Sequence, residues 1–179
     1  MTLQEIQFLQ KITGVKGYVD GMKAVEPGYF YDNIGEFAQL KAEQARLGAN
    51  SRQVEEILLY LGDDIITRKK REQELSPEEI AFYKKIVGIN SYIRETKTNN
   101  PNWIFDNMGE VEILLGELTK LNTQDPYILA IMHTITTEIL KKITQLLGPE
   151  ESIQSVAEYQ ARLTQLGIKP LQQKDKSKK

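Results

Sequence analysis

Two pairs of acidic residues are the part of this sequence best placed to do chemistry. They lie in the pentapeptide D-N-[IM]-G-E, which occurs twice and contains Asp32, Glu36, Asp106 and Glu110. Residues four apart share one face of a helix, so the two carboxylates of each pair can project together. If both copies met, four carboxylates would converge, and oxygen-rich clusters bind Mg²⁺ or Mn²⁺. This interpretation predicts a metal-dependent hydrolase of phosphate-containing substrates.

Helix capping explains the same pentapeptide without a metal. Asn33 and Asn107 are residue types favoured at a helix N-cap, and a glutamate stands three residues after each. The aspartates that precede them complement the helix dipole. Because capping does not require the two copies to meet, the pattern favours it over a metal site. We therefore predict no cofactor, with Mg or Mn as the alternative.

Few residues of this chain are suited to covalent or acid–base catalysis. The sequence has no cysteine and a single histidine, His133. A Cys–His pair is excluded, and a Ser–His arrangement has little support. We assign no catalytic residue, and the sequence favours a protein that is not an enzyme.

A run of large side chains precedes each pentapeptide. The two runs are Tyr29, Phe30, Tyr31 and Trp103, Ile104, Phe105. Three successive large residues cannot all face one core, so at least one in each run is expected at the surface. Aromatic side chains are favoured as anchors of protein interfaces. These six residues are the candidates for an interaction surface. Packing into the core is the favoured interpretation of the two runs, and the two interpretations are compatible.

A basic run, Arg68, Lys69, Lys70 and Arg71, is the candidate for contact with nucleic acid. The corresponding residues of the second copy are not basic, so the run is not a shared feature of the two copies. Positive charge near a helix C-terminus is also favourable for the helix dipole alone. Since the net charge of the chain is −2, binding to nucleic acid is only an alternative prediction.

The two pentapeptides belong to a longer internal repeat. Residues 8–36 align with residues 82–110 without a gap, at an offset of 74, and 11 of the 29 aligned residues are identical. A fixed offset of this kind is the mark of a duplicated structural unit.

Apolar residues at helical spacing predict three helices in each unit and no strand. Capping boxes begin the first helices at Thr2 and Ser76, and Ser51 and Asp125 are the predicted N-caps of the third helices. Gly148 and Pro149 are expected to end the sixth helix, and a separate helix is expected over about 150–166.

The predicted fold is all-α. It is a tandem duplication of a three-helix unit of about 74 residues, packed as a bundle or short solenoid, with a C-terminal helix. The predicted boundaries are 1–75 and 76–149 for the units, 150–168 for a capping helix and 169–179 for a disordered basic tail.

Composition points away from membranes and secretion. No apolar run approaches the roughly 20 residues that a membrane span needs, and the N-terminus lacks a secretory pattern. The absence of cysteine fits a reducing compartment, so we expect a cytoplasmic location. The prediction for function is a helical interaction module, an adaptor, regulator or assembly factor, whose partner is another protein or a second copy of itself.

Overall fold

The computed structural model describes residues 1–30, 34–97, 99–100 and 108–171, with side chains except at 34, 108–109, 143 and 146–156. Every regular element in these ranges is an α-helix, which confirms the all-α prediction. The helices are α1 (Leu3–Val25), α2 (Ile34–Leu47), α3 (Arg52–Glu74), α4 (Pro77–Thr96), α5 (Met108–Leu121) and α6 (Pro126–Gln165).

The chain divides into two compact units, Met1–Leu75 and Ser76–Lys179. The first contains α1 to α3, and the second contains α4 to α6. Within the described residues, no helix is both long enough and apolar enough to cross a membrane.

The helix starts predicted at Thr2, Ser51, Ser76 and Asp125 are confirmed. The hydroxyl groups of Thr2 and Ser76 accept hydrogen bonds from the backbone three residues on, and Glu5 and Glu79 complete the two capping boxes. Ser51 caps α3, and the carboxylate of Asp125 accepts from the backbone N–H of Ile128 at 3.0 Å to cap α6. The predicted caps Asn33 and Asn107 lie outside the described residues.

The core of the first unit lies where α1 meets α2 and α3. It is formed by Phe8, Ile12, Leu40, Ala49, Val54 and Leu58. The N-terminal half of α1 packs near the start of α3, and Lys23 near the end of α1 reaches Asp64 further along α3. The two helices therefore run in the same direction, and α2 runs antiparallel to both. Burying each large apolar side chain contributes about 1.5–3 kcal/mol.

Left-handed residues end the middle helix of each unit. Gly48 follows α2 with φ of 60°, and Asn122 follows α5 with φ of 48°. Glycine and asparagine are the residue types that tolerate this conformation at a helix C-terminus. Each residue turns the chain directly into the cap of the next helix.

The prediction of a separate helix after Gly148 and Pro149 is wrong. Helix α6 continues through both residues and spans 40 residues. It is not straight, because Thr137 and Thr164 line the same cleft, although a straight helix would separate them by about 40 Å. The helix therefore turns back between Gln145 and Gln160.

Proline is the usual cause of such a bend, because its ring clashes with the preceding turn and it lacks an N–H. Apolar residues at helical spacing continue on both sides of Pro149, so the bend does not end the helix. We call residues 157–168 the arm. Within it, Leu163 and Ile168 are buried. Most of the predicted tail, residues 172–179, lies outside the described part of the chain.

Candidate functional site

The segment 27–30, which follows α1, is held by two arginines of α3. Arg68 donates hydrogen bonds to the carbonyl oxygens of Pro27 at 3.1 Å and Tyr29 at 2.7 Å. Its guanidinium also lies 3.5 Å from the centre of the Tyr29 ring. Arg71 donates to the carbonyl oxygen of Gly28 and lies 4.6 Å from the ring centre of Phe30. The basic run thus binds a segment of its own chain.

Asp64 supplies the negative charge that this cluster needs. Its carboxylate is 2.9 Å from the ammonium of Lys23 and 3.0 Å from Arg68, and it accepts a hydrogen bond from the Tyr29 hydroxyl at 3.1 Å. Burial acts to raise the pKa of Asp64, but Lys23 and Arg68 hold this pKa below its ordinary value. Burial is also the main cause that raises the pKa of Tyr29 to about 12.

The structure places the described members of the predicted aromatic surface inside this cluster. Tyr29 is 6% exposed, and Phe30 is half-buried beneath Arg71. The other four predicted residues, Tyr31, Trp103, Ile104 and Phe105, lie outside the described residues. For Tyr29, packing into the unit is the interpretation that fits.

The structure describes two of the four carboxylates predicted for a metal site. Glu36 and Glu110 are exposed on the first turns of α2 and α5, and Asp32 and Asp106 lie outside the described residues. Among the described side chains, no group of three acidic or histidine residues could hold a metal ion.

The predicted nucleic-acid run does not present four free cations. Arg68 is buried and Arg71 half-buried, both against segment 27–30. Lys69 lies 3.5 Å from Glu72, and Lys70 is exposed. The structure therefore gives two of the four basic residues a role within the unit.

A surface absent from the predictions lies on the outer side of α3. We call it the α3 face, and its residues are Arg52, Glu55, Leu59, Ile66 and Lys70. Their spacing places all five on one side of a helix, and all five are exposed. Leu59 and Ile66 are 66% and 67% exposed. The signal was present in the sequence, because both fall outside the apolar stripe that predicts the buried side of this helix. That stripe consists of Val54, Ile57, Leu58, Leu61 and Ile65.

The matching face of α6 is covered. His133 and Leu140 stand 74 positions after Leu59 and Ile66, and both are half-buried. They line a cleft of about 710 Å³, and the arm residues Leu163 and Ile168 lie on its other side. In the second unit, the arm thus lies opposite a face of α6, whereas the residues 74 positions earlier in α3 are exposed.

Glu112 of α5 holds the arm in place. Its carboxylate accepts a hydrogen bond from Arg162 and another, at 3.0 Å, from the hydroxyl of Tyr159. Arg162 is the main cause that keeps the pKa of Glu112 below its ordinary value. Burial and the nearby Glu112 raise the pKa of Tyr159 to about 12. Ala38 of α2 stands 74 positions before Glu112 and has no carboxylate to make such contacts.

Comparisons of this chain with known protein families, with curated proteins and with solved structures find no match. The contacts described above are therefore the basis for the function proposed below.

Proposed function

We propose that this protein is a non-enzymatic helical interaction module, an adaptor, regulator or assembly factor, that docks another protein chain on the α3 face. One observation carries the proposal. Leu59 and Ile66 are about two-thirds exposed, whereas the matching residues of the second unit are half-buried opposite the arm. A cytoplasmic location, which the lack of cysteine favours, belongs to the same proposal.

The arrangement of the two apolar residues supports a helical partner. A single exposed apolar side chain is ordinary on a protein surface. Leu59 and Ile66 instead stand seven residues apart on one face, the spacing at which a helix contacts another helix along its length. Covering both would contribute about 1.5–3 kcal/mol for each side chain.

We infer further that the two units are copies of one three-helix unit, which makes the covered face of α6 a template for the bare face of α3. Ion pairs 74 positions apart support this inference. Lys11 and Glu43 lie 2.6 Å apart, and Lys85 and Glu117 lie 2.8 Å apart. The pairs Lys23–Asp64 and Lys97–Glu138 span 2.9 Å and 3.0 Å. The left-handed Gly48 and Asn122 have the same offset.

Cross-linking can test the docking proposal. An amine-reactive reagent applied to an extract of cells that express the protein should join Lys70, exposed on the α3 face, to a partner chain. The double substitution Leu59→Glu and Ile66→Glu should reduce this cross-link at least tenfold, because it removes the apolar contact.

The matched control is Ile113→Glu, because Ile113 is 61% exposed on a different helix. This control should leave the Lys70 cross-link intact. Equal yields from the wild type and the double variant would contradict the proposal.

A further inference from the structure

We propose that the partner on the α3 face is a second copy of this chain, packed antiparallel about a twofold axis. The proposal rests on the proposed function and names the partner of the same surface. Its basis is the distribution of charge along the face, which complements itself in one orientation only.

Opposite charges flank the apolar residues of the α3 face. Glu55 lies toward the start of α3, and Lys70 lies toward its end. Neither side chain forms an ion pair with a described residue, and both are exposed. Arg52, at the start of the face, is paired with Glu56 at 2.7 Å. The charges of the face without an ion pair among the described residues are therefore Glu55 near one end and Lys70 near the other, with an apolar centre between them.

An antiparallel pair brings unlike ends together. The interval from Leu59 to Ile66 and the interval from Glu55 to Lys70 share one midpoint in the sequence. When two such faces pack antiparallel about that midpoint, each Leu59 meets Ile66 of the second copy. Each Glu55 then meets Lys70 of the second copy, and twofold symmetry repeats every contact.

A parallel pair is disfavoured by the same charges. It would place Glu55 beside Glu55 and Lys70 beside Lys70, and like charges in contact are destabilising. The charge pattern thus selects the antiparallel orientation as well as the partner.

The arm of α6 supplies a precedent for this orientation. The arm turns back along its own helix and packs antiparallel on the face that contains His133 and Leu140. These residues stand 74 positions after Leu59 and Ile66, so the arm serves as the template for a helix that packs on the α3 face in the same direction.

The predicted dimer is weak. Two apolar residues and one ion pair from each copy make a contact smaller than the roughly 800 Å² per partner of a standard interface. Asp63 lies at the edge of the face near the axis, where two copies of this carboxylate approach each other. We expect a dissociation constant in the micromolar range that rises with salt.

Sedimentation velocity of the full chain at low salt, from about 5 to 500 μM, tests the proposal. The wild type should form a dimer. Glu55→Lys alone and Lys70→Glu alone should each weaken the dimer about tenfold, because each places like charges at both symmetric contacts. The combined swap E55K with K70E should restore the dimer to within about threefold.

A wild type that stays monomeric at every concentration would overturn the proposal, as would single substitutions without effect or a double swap without recovery. Both positions are exposed, so circular dichroism should show an unchanged helical fold in every variant. A monomeric wild type whose Lys70 cross-link is still lost in the Leu59→Glu and Ile66→Glu variant would indicate a different partner on a genuine docking surface. Failure of both experiments would instead show that the α3 face docks nothing.

Discussion

At the scale of single residues, Arg68 holds segment 27–30 against α3. Arg68 is 8% exposed. It donates hydrogen bonds to the carboxylate of Asp64 and to carbonyl oxygens of segment 27–30. A buried cation is tolerated only when it is paired and hydrogen-bonded in this way. Arg68 and Arg71 of the basic run therefore contact segment 27–30, whereas Lys69 and Lys70 lie at the surface.

Replacing Arg68 by alanine should destabilise the first unit by about 3 kcal/mol, because it breaks a buried ion pair and leaves backbone carbonyl groups without donors. Denaturant unfolding measures the change. Lys69→Ala is the matched control, since Lys69 makes only a surface pair at 3.5 Å, and it should change stability by less than about 0.5 kcal/mol. Equal effects of the two substitutions would contradict the structural role of Arg68.

Acid should weaken the same cluster. The pKa of Asp64 in the folded protein is lowered, so its ionised form stabilises the fold at pH values above the unfolded pKa of about 3.9. That contribution is lost as the pH falls through the lower folded value. The difference in melting temperature between the wild type and Asp64→Asn should be constant from about pH 5 to 7 and should shrink below about pH 4. A difference that is independent of pH would contradict the lowered pKa.

Sequence reasoning could not find this cluster. Lys23 and Asp64 are 41 residues apart, and only the packing of α1 beside α3 brings them together. Tyr29 is only one of three successive large residues, and the sequence does not show which of them is buried. The decisive feature is an arginine 39 residues later that covers its ring and binds its carbonyl oxygen.

At the scale of helices, α3 is apolar on two sides. Val54, Leu58 and Leu61 are buried in the unit, and Leu59 and Ile66 face outward. The sequence predicts the buried stripe correctly because its residues recur at helical spacing. The sequence alone does not show that Leu59 and Ile66 are exposed, because their exposure depends on where the other helices lie.

In helix α6, a local sequence signal predicts a helix end that the structure does not have. Gly148 and Pro149 are strong signals for a helix end, yet α6 continues through both residues. The low helix propensity of glycine and proline predicts a break in the helix at this point. The direction of the arm beyond it depends on the contacts between the arm and α5.

Glu112→Gln should loosen the arm, because it weakens the hydrogen bonds to Arg162 and Tyr159. These side chains are partly exposed, so the cost in stability should be at most about 1 kcal/mol. Hydrogen exchange should become several-fold faster in residues 157–168 and stay unchanged in residues 126–145.

Glu117→Gln is the matched control on the same helix, because Glu117 pairs with Lys85 of α4 at 2.8 Å. It should leave exchange in the arm unchanged. If Glu112→Gln also had no effect there, the arm would be held by its apolar contacts alone.

At the scale of the whole molecule, the two units differ at one face of their third helix. The second unit covers that face with an arm from its own chain, and the first unit leaves it open. The all-α class and the helix starts were predictable because capping boxes and apolar spacing are local signals. The arm occurs once, after the second unit only, and we propose that the face of α3 left exposed in the first unit is a surface for a partner.

Native mass spectrometry of the untagged protein, purified gently from the cells that make it, tests the central claim most directly. The wild type should carry added mass, either a second chain of 20.5 kDa or another protein. The variant with Leu59→Glu and Ile66→Glu should lose that mass, while Ile113→Glu keeps it. A double variant that retains the same assembly as the wild type would contradict the claim that the α3 face is a docking surface.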